Sequence, residues 1–235
     1  MGVVAMKKIV LLVLLLCFGF ADFAVSEDFK WVRVQFKCKE PDAQEKWDID
    51  LKGDETFLEH LERYSTLKVD KKVYSITLEK LDEMIKYPIL FMTASGTPDL
   101  SETEIKNLKE YLNRGGFLLC DESNWPARGG ILFADGMRKI FNSMYPKSKV
   151  VPLELEHELF TAHFDMPLGY FQKLSFTGEE KSVSGIWAMS DDKGRAMVFF
   201  TMLLQNTWGG KYWRPEKQGD AVKMATNVIM YSLTH

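Results

Sequence analysis

Cys120-Asp121-Glu122-Ser123-Asn124 follows the apolar run Phe117-Leu118-Leu119, so a thiol, two carboxylates, a hydroxyl and an amide stand where a buried strand would end. Ligands of open parallel sheets sit in the crevice outside the carboxyl ends of the strands. Thr93 and Ser95, at the end of a second apolar run beginning Ile89-Leu-Phe-Met, would then share one rim with Asp121, Glu122 and Asn124. Two readings compete for Asp121 and Glu122. They form a ligand-binding or acid–base pair, or they mark a strand end at which Asp121 caps the following turn. The second needs nothing beyond local chemistry, and we favour it.

His157-Glu158, His163 and Asp165 offer imidazole and carboxylate ligands of the kind that suit zinc or manganese. Neither histidine has a His-x3-His partner, however. The plainer expectation is that His157 caps or packs at a helix start and Asp165 holds the turn before Pro167. No metal and no cofactor is therefore expected. The cluster Trp208-Gly-Gly-Lys-Tyr212-Trp213-Arg214 is the other chemistry-bearing stretch. Aromatics beside glycines can stack on a sugar or a protein partner, or can tuck over a sheet edge; both readings stay open. Arg195 is expected to face solvent.

The elements that must position these residues alternate along the chain. Trp31-Val-Arg-Val-Gln-Phe-Lys37 has the period of a strand, and Phe57, Leu58, Leu61 and Tyr64 share the face of a helix capped at Asp54. Val73 to Ile76 reads as a short edge strand. Thr77 is expected to cap a helix carrying Leu78, Leu81, Met84 and Ile85, ended by Pro88. Ser101-Glu-Thr-Glu104 is a capping box, and Gly115-Gly116 ends its helix. Further helices are expected around Met137 to Met144 and from about Asp220 to Leu233. Val150-Val151 reads as a strand, and Asp191 to Gly194 as the turn of a hairpin. Apolar runs of strand length separated by amphipathic helices predict an α/β domain with a mainly parallel sheet.

Lys7-Lys8 followed by the apolar run Ile9 to Phe20 predicts a signal peptide cleaved after Ser26, leaving one domain over residues 27–235 in the periplasm or another extracytoplasmic space. A retained membrane anchor is the alternative. With 30 basic and 33 acidic residues and no basic block among aromatics, nucleic acid is not an expected partner. Cys38 and Cys120, the cysteines beyond the signal segment, read as buried apolar residues, although export would permit a disulfide.

Several segments carry a family resemblance: Trp31-Val-Arg-Val-Gln-Phe, Trp47, Tyr87-Pro-Ile-Leu-Phe-Met-Thr93, Leu100-Ser-Glu-Thr-Glu104, Tyr111-Leu-Asn-Arg-Gly-Gly-Phe-Leu118, Asp121, His157-Glu-Leu-Phe160, Phe164-Asp-Met-Pro167 and Asn227 to His235. In this order they resemble the bacterial family catalogued as domain of unknown function 4159. The resemblance implies a three-layer, flavodoxin-like sheet akin to class I glutamine amidotransferases, in exported or membrane-associated proteins, with no established activity. The chain departs from the family pattern at Ala94-Ser95-Gly96, where many relatives have Gly-His-Gly, and at Cys120-Asp121, where they often have paired aspartates.

Amidotransferases of this class use a cysteine, histidine and glutamate triad. Leu118 to Glu122 lacks the glycines of a nucleophile elbow, and His157 and Glu158 are adjacent where the triad pair is separated by one residue, so Cys120 is not expected to be a nucleophile. The expected function is an exported noncatalytic module. It would bind an envelope protein partner or a small ligand through the strand-end rim and the loop of Trp208, Tyr212, Trp213 and Arg214. The alternative is a hydrolase or carbohydrate-processing enzyme with Asp121 as base and His157 as acid, which rests on fold analogy.

Overall fold

The apolar runs form the middle of a seven-stranded sheet. The computed structural model describes residues 28–40, 43, 46–124, 130–176, 178–210 and 215–235. Within them β1 (Phe29–Gln35), β3 (Val69–Thr77), β4 (Ile89–Ala94), β6 (Phe117–Glu122) and β9 (Ala196–Met202) run parallel, in the order β3-β1-β4-β6-β9. Antiparallel β8 (Trp187–Ser190) and β7 (Val151–Pro152) complete the sheet beyond β9. A separate antiparallel ladder joins β2 (Lys37–Cys38) to β5 (Pro98–Asp99). The expected α/β class with a mainly parallel sheet is what forms.

Helices cover both faces, which is why Ile89–Met92, Phe117–Cys120 and Ala196–Phe200 are apolar at every position. On one face α3 (Glu102–Asn113) and α4 (Leu132–Met144) pack Leu108, Leu112, Met137 and Phe141 into a core with Leu90 and Leu118. On the other, α1 (Leu51–Tyr64) and α6 (Pro215–Thr234) pack Phe57, Leu61, Met224 and Val228 with Phe91 and Leu119. Adjacent Leu118 and Leu119 thus enter different cores, as strand alternation requires.

Local signals held where their partners are local. The Ser101–Glu104 capping box forms as read, with both reciprocal bonds, and the Asp191 carboxylate accepts the Lys193 and Arg195 N–H groups in the β8–β9 turn. Three expectations need correction. Thr77 caps no helix: it ends the nine-residue β3, and the helix after it is only α2 (Leu81–Met84). Pairing with β1 all the way to Gln35↔Thr77 holds this β-branched residue in the strand. The α1 helix starts at Leu51, so Asp54 lies inside its first turn and is buried, not at its cap. Arg195 does not simply face solvent. Its guanidinium donates to the Leu112 carbonyl at 2.9 Å and the Gly115 carbonyl at 3.3 Å, satisfying carbonyls at the end of α3.

No helix among the described residues is long and apolar enough to cross a membrane. The expected signal segment lies outside the described residues.

Candidate functional site at the carboxyl ends of the sheet

Asp121 and Glu122 are the last two residues of β6, and alternation sends their side chains to opposite faces. Each meets the start of a different helix. Asp121, expected on an open rim, is instead completely buried. Its Oδ1 accepts the Thr201 hydroxyl at 2.7 Å and the Leu204 N–H at 3.0 Å, while Oδ2 accepts the Gln205 N–H at 2.9 Å. Leu204 and Gln205 open α5 (Leu204–Trp208), which follows Leu203 in a left-handed conformation at φ 57°. The carboxylate therefore supplies the cap that Leu203 cannot.

Glu122 does the same across the sheet. It accepts the Asn124 N–H at 2.9 Å and the Ala134 N–H at 3.1 Å, in the first turn of α4, whose own N-cap residue Ile131 has no side-chain acceptor. Burial pushes its carboxyl up to about 8, against the opposing pull of those N–H groups.

Around the two carboxylates the strand ends are closed rather than open. Thr93 stands in register with Asp121, and Asp121 with Thr201, giving a row across three parallel strands. The Thr93 and Ser123 hydroxyls are buried and lack a hydrogen-bond partner among the described residues. The Asn206 amide donates to the Ser123 carbonyl at 3.1 Å, and the Gln205 amide to the Asp50 carbonyl at 3.2 Å. Ser95 is buried, and Asn124 half-buried. Where the strand order reverses, between β1 and β4, the β2–β5 ladder and Glu40 fill the crevice. Glu40 accepts both the N–H and the hydroxyl of Thr97, at 2.6 and 2.8 Å.

Cys120 is fully buried, and burial, followed by the neighbouring Asp121 charge, pushes its thiol well above the usual range. Cys38 and Cys120 are not joined in a disulfide. The remaining candidates lie elsewhere. The His157 Nδ1 accepts the Leu159 N–H at 3.1 Å, and its ring packs 5.4 Å from Tyr231, whose hydroxyl accepts from the N–H of Ala196, the first residue of β9. That is the amino end of the sheet. Tyr231 also touches Phe117, four residues before Asp121 and so about 13 Å from it along the strand. These contacts do not bring His157 to Asp121. Burial lowers the His157 pKa. Asp165 is exposed. No group of three or more His, Cys, Asp or Glu side chains among the described residues could hold a metal ion.

Trp208, expected on a partner surface, is buried as well. Its indole donates to Asp54 Oδ1 at 3.2 Å and stacks on Phe57 at 4.5 Å. Tyr212, Trp213 and Arg214 lie outside the described residues. Asp54 also receives the Trp31 indole N–H at 2.8 Å and both Nε and Nη2 of Arg33, at 2.6 and 2.8 Å. Both members of this ion pair are buried, at 1% and 0% exposure. The sequence did not single out Arg33; the signal that could have found it is that a parallel strand is covered on both faces, which points to burial of a charge within it.

An open groove remains at the carboxyl ends of β1 and β3. It measures about 520 Å³, and Gln35, Lys37, Trp47, Glu79, Asp99 and Ser101 line it. Lys37 and Asp99 are direct partners across the β2–β5 ladder. The Trp47 carbonyl accepts Arg33 Nη1 at 2.7 Å, so the groove wall is tied to the buried ion pair.

No curated protein matches the chain. The model of one family does, over residues 31–233, which takes in every described strand and helix apart from the first residues of β1 and the last of α6. The chain belongs to the family described as domain of unknown function (DUF4159).

Proposed function

We propose that the chain is an exported, noncatalytic binding module, engaging an envelope protein partner or a small ligand through the open part of the rim, at the carboxyl ends of β1 and β3, and through the aromatic and basic side chains of Tyr212, Trp213 and Arg214. The observation that carries this reading is the use made of Asp121. A general base needs a lone pair free to take a proton from substrate; this carboxylate is buried and accepts from the Thr201 hydroxyl of β9 and from the two N–H groups that open α5. The buried thiol of Cys120 supports the same reading. The finer fold assignment, flavodoxin-like and akin to class I glutamine amidotransferases, is supported by strand order. Numbered among themselves, the five parallel strands run 2-1-3-4-5, the flavodoxin-like arrangement. The basic start and apolar run before residue 27 support export and signal removal.

Hydrolase and glycosidase panels on the purified protein are expected to show no turnover. Turnover that Asp121→Asn abolishes without loss of fold would overturn the reading. Cross-linking in intact cells is expected to return a stoichiometric envelope partner that is lost on Trp213→Ala. Mass analysis of the exported chain is expected to give an amino terminus at Glu27.

A further inference from the structure

We propose that the groove at the carboxyl ends of β1 and β3 is a saccharide-binding site, with Trp47 as the stacking platform and Lys37, Asp99 and Gln35 as hydroxyl partners. This rests on the reading of the chain as a binding module and names the ligand class of its open rim.

A neutral sugar ring presents two surfaces. One is a face of weakly positive C–H groups that suits the negative face of an aromatic ring. The other is an edge of hydroxyls, each of which both donates and accepts. The groove offers both. Trp47 is half-buried, packs in part against the sheet's core, and lines the cavity. Beside it stand a donor, the Lys37 ammonium, and two acceptors, the Asp99 and Glu79 carboxylates. Among the described residues none of these three side chains has a hydrogen bond or an ion pair. The Gln35 amide donates to Ser75 Oγ at 2.8 Å, which leaves its carbonyl oxygen able to accept.

The mixture of signs sets the ligand class. An anion would meet Glu79 and Asp99, and a polycation would meet Lys37, directly across the ladder from Asp99. A neutral polyol satisfies both donors and acceptors without leaving a like charge unanswered. Size agrees: about 520 Å³ lies within the roughly 300–1,000 Å³ of small-molecule sites. The platform is also held in place before any ligand arrives. The Arg33 guanidinium that binds the Trp47 carbonyl is itself fixed by two bonds to Asp54, so little ordering remains to be done on binding. Because that tether uses main-chain oxygen, changing the Trp47 side chain leaves it intact.

Saturation-transfer NMR on the full-length chain, with cellobiose, maltose and N,N′-diacetylchitobiose as probes and spermidine and inorganic phosphate as charged controls, tests the proposal. At least one disaccharide is expected to show transfer to its ring C–H protons. Its Kd is expected to rise at least tenfold in Trp47→Ala, several-fold in Asp99→Asn, and little in Trp47→Phe. Circular dichroism checks the fold of each variant; if Trp47→Ala fails to fold, the exposed variants Lys37→Ala and Asp99→Asn decide. Binding of none of the disaccharides, binding insensitive to these substitutions, or preference for spermidine or phosphate overturns the saccharide assignment. Those outcomes leave the noncatalytic module standing if its cross-linked partner is still captured. Cleavage of a bound disaccharide overturns the module reading instead.

Discussion

The carboxylate of Asp121 accepts the main-chain N–H of Gln205 at 2.9 Å, linking the end of β6 to a helix 84 positions further along the chain. Charge-assisted bonds of this kind are among the stronger ones, and removing the acceptor leaves buried donors unsatisfied. Asp121→Ala is expected to cost about 3–5 kcal/mol, and Asp121→Asn, which keeps one oxygen acceptor, distinctly less. Urea unfolding followed by far-UV circular dichroism measures both. A catalytic Asp121 would instead leave stability nearly unchanged.

Asp54 joins α1 to Arg33, Trp31 and Trp208, with no solvent to screen the pair. Asp54→Ala strands the Arg33 charge in the core and is expected to cost about 3–5 kcal/mol. Arg33→Met combined with Asp54→Leu removes both charges and is expected to be less damaging than either single charge removal. A double-mutant cycle from urea midpoints gives the coupling; additive losses would show that the pair does not act as one unit.

Glu122 makes stability depend on pH in an unusual direction. Its folded pKa of about 8 lies above the ordinary 4.5, so the folded state binds the proton more tightly than the unfolded state. The stabilisation is complete below about 4.5 and is lost as pH rises through 8. Wild type is expected to lose roughly 2–4 kcal/mol from this group between pH 5 and pH 8. Glu122→Gln, which does not titrate, should flatten that part of the curve. Urea midpoints of the two proteins across this range make the comparison.

Cys120 is expected to resist alkylation in the native protein, since it is fully buried with a thiol pushed far up. Cys38 is half-buried, and burial also raises its thiol, so it should react slowly but first. Mass-spectrometric mapping after iodoacetamide treatment, with and without denaturant, distinguishes them. Rapid native labelling of Cys120 would contradict the packing around β6.

What was legible in the sequence was what is decided locally or by burial on both faces. Phe117 to Leu119 read correctly as a buried strand because a parallel strand between two helix layers has no polar side to show. The Ser101 capping box was legible because its partner is three residues away. Asp121 and Glu122 were legible as a strand end, but not as caps for α5 and α4. Their partners lie 84 and 12 positions on, and no periodicity encodes such pairings. Arg33 was hidden for a related reason. Its neutralising partner stands on a helix 21 positions later, and the alternation of a strand does not announce such a pairing. Trp208 stayed open between a partner surface and a tuck over the sheet because glycines beside an aromatic fit either; the carboxylate that receives its indole is 154 positions earlier. Trp47 was legible only as a residue of the family pattern, and the groove around it was missed, since it is assembled from β1, β3 and the β2–β5 ladder.

The paired caps on β6 also bear on what this position can become over evolutionary time. Recruiting Asp121 or Glu122 for chemistry would first uncap a helix, at a cost that is a sizeable share of the roughly 5–15 kcal/mol holding a domain together. Such a lineage would need a replacement acceptor before any catalytic benefit existed. Variation along the open groove, where Lys37, Glu79 and Asp99 support no other element, meets no such barrier, so new specificities have a far shorter mutational path there than at the sheet's sealed end.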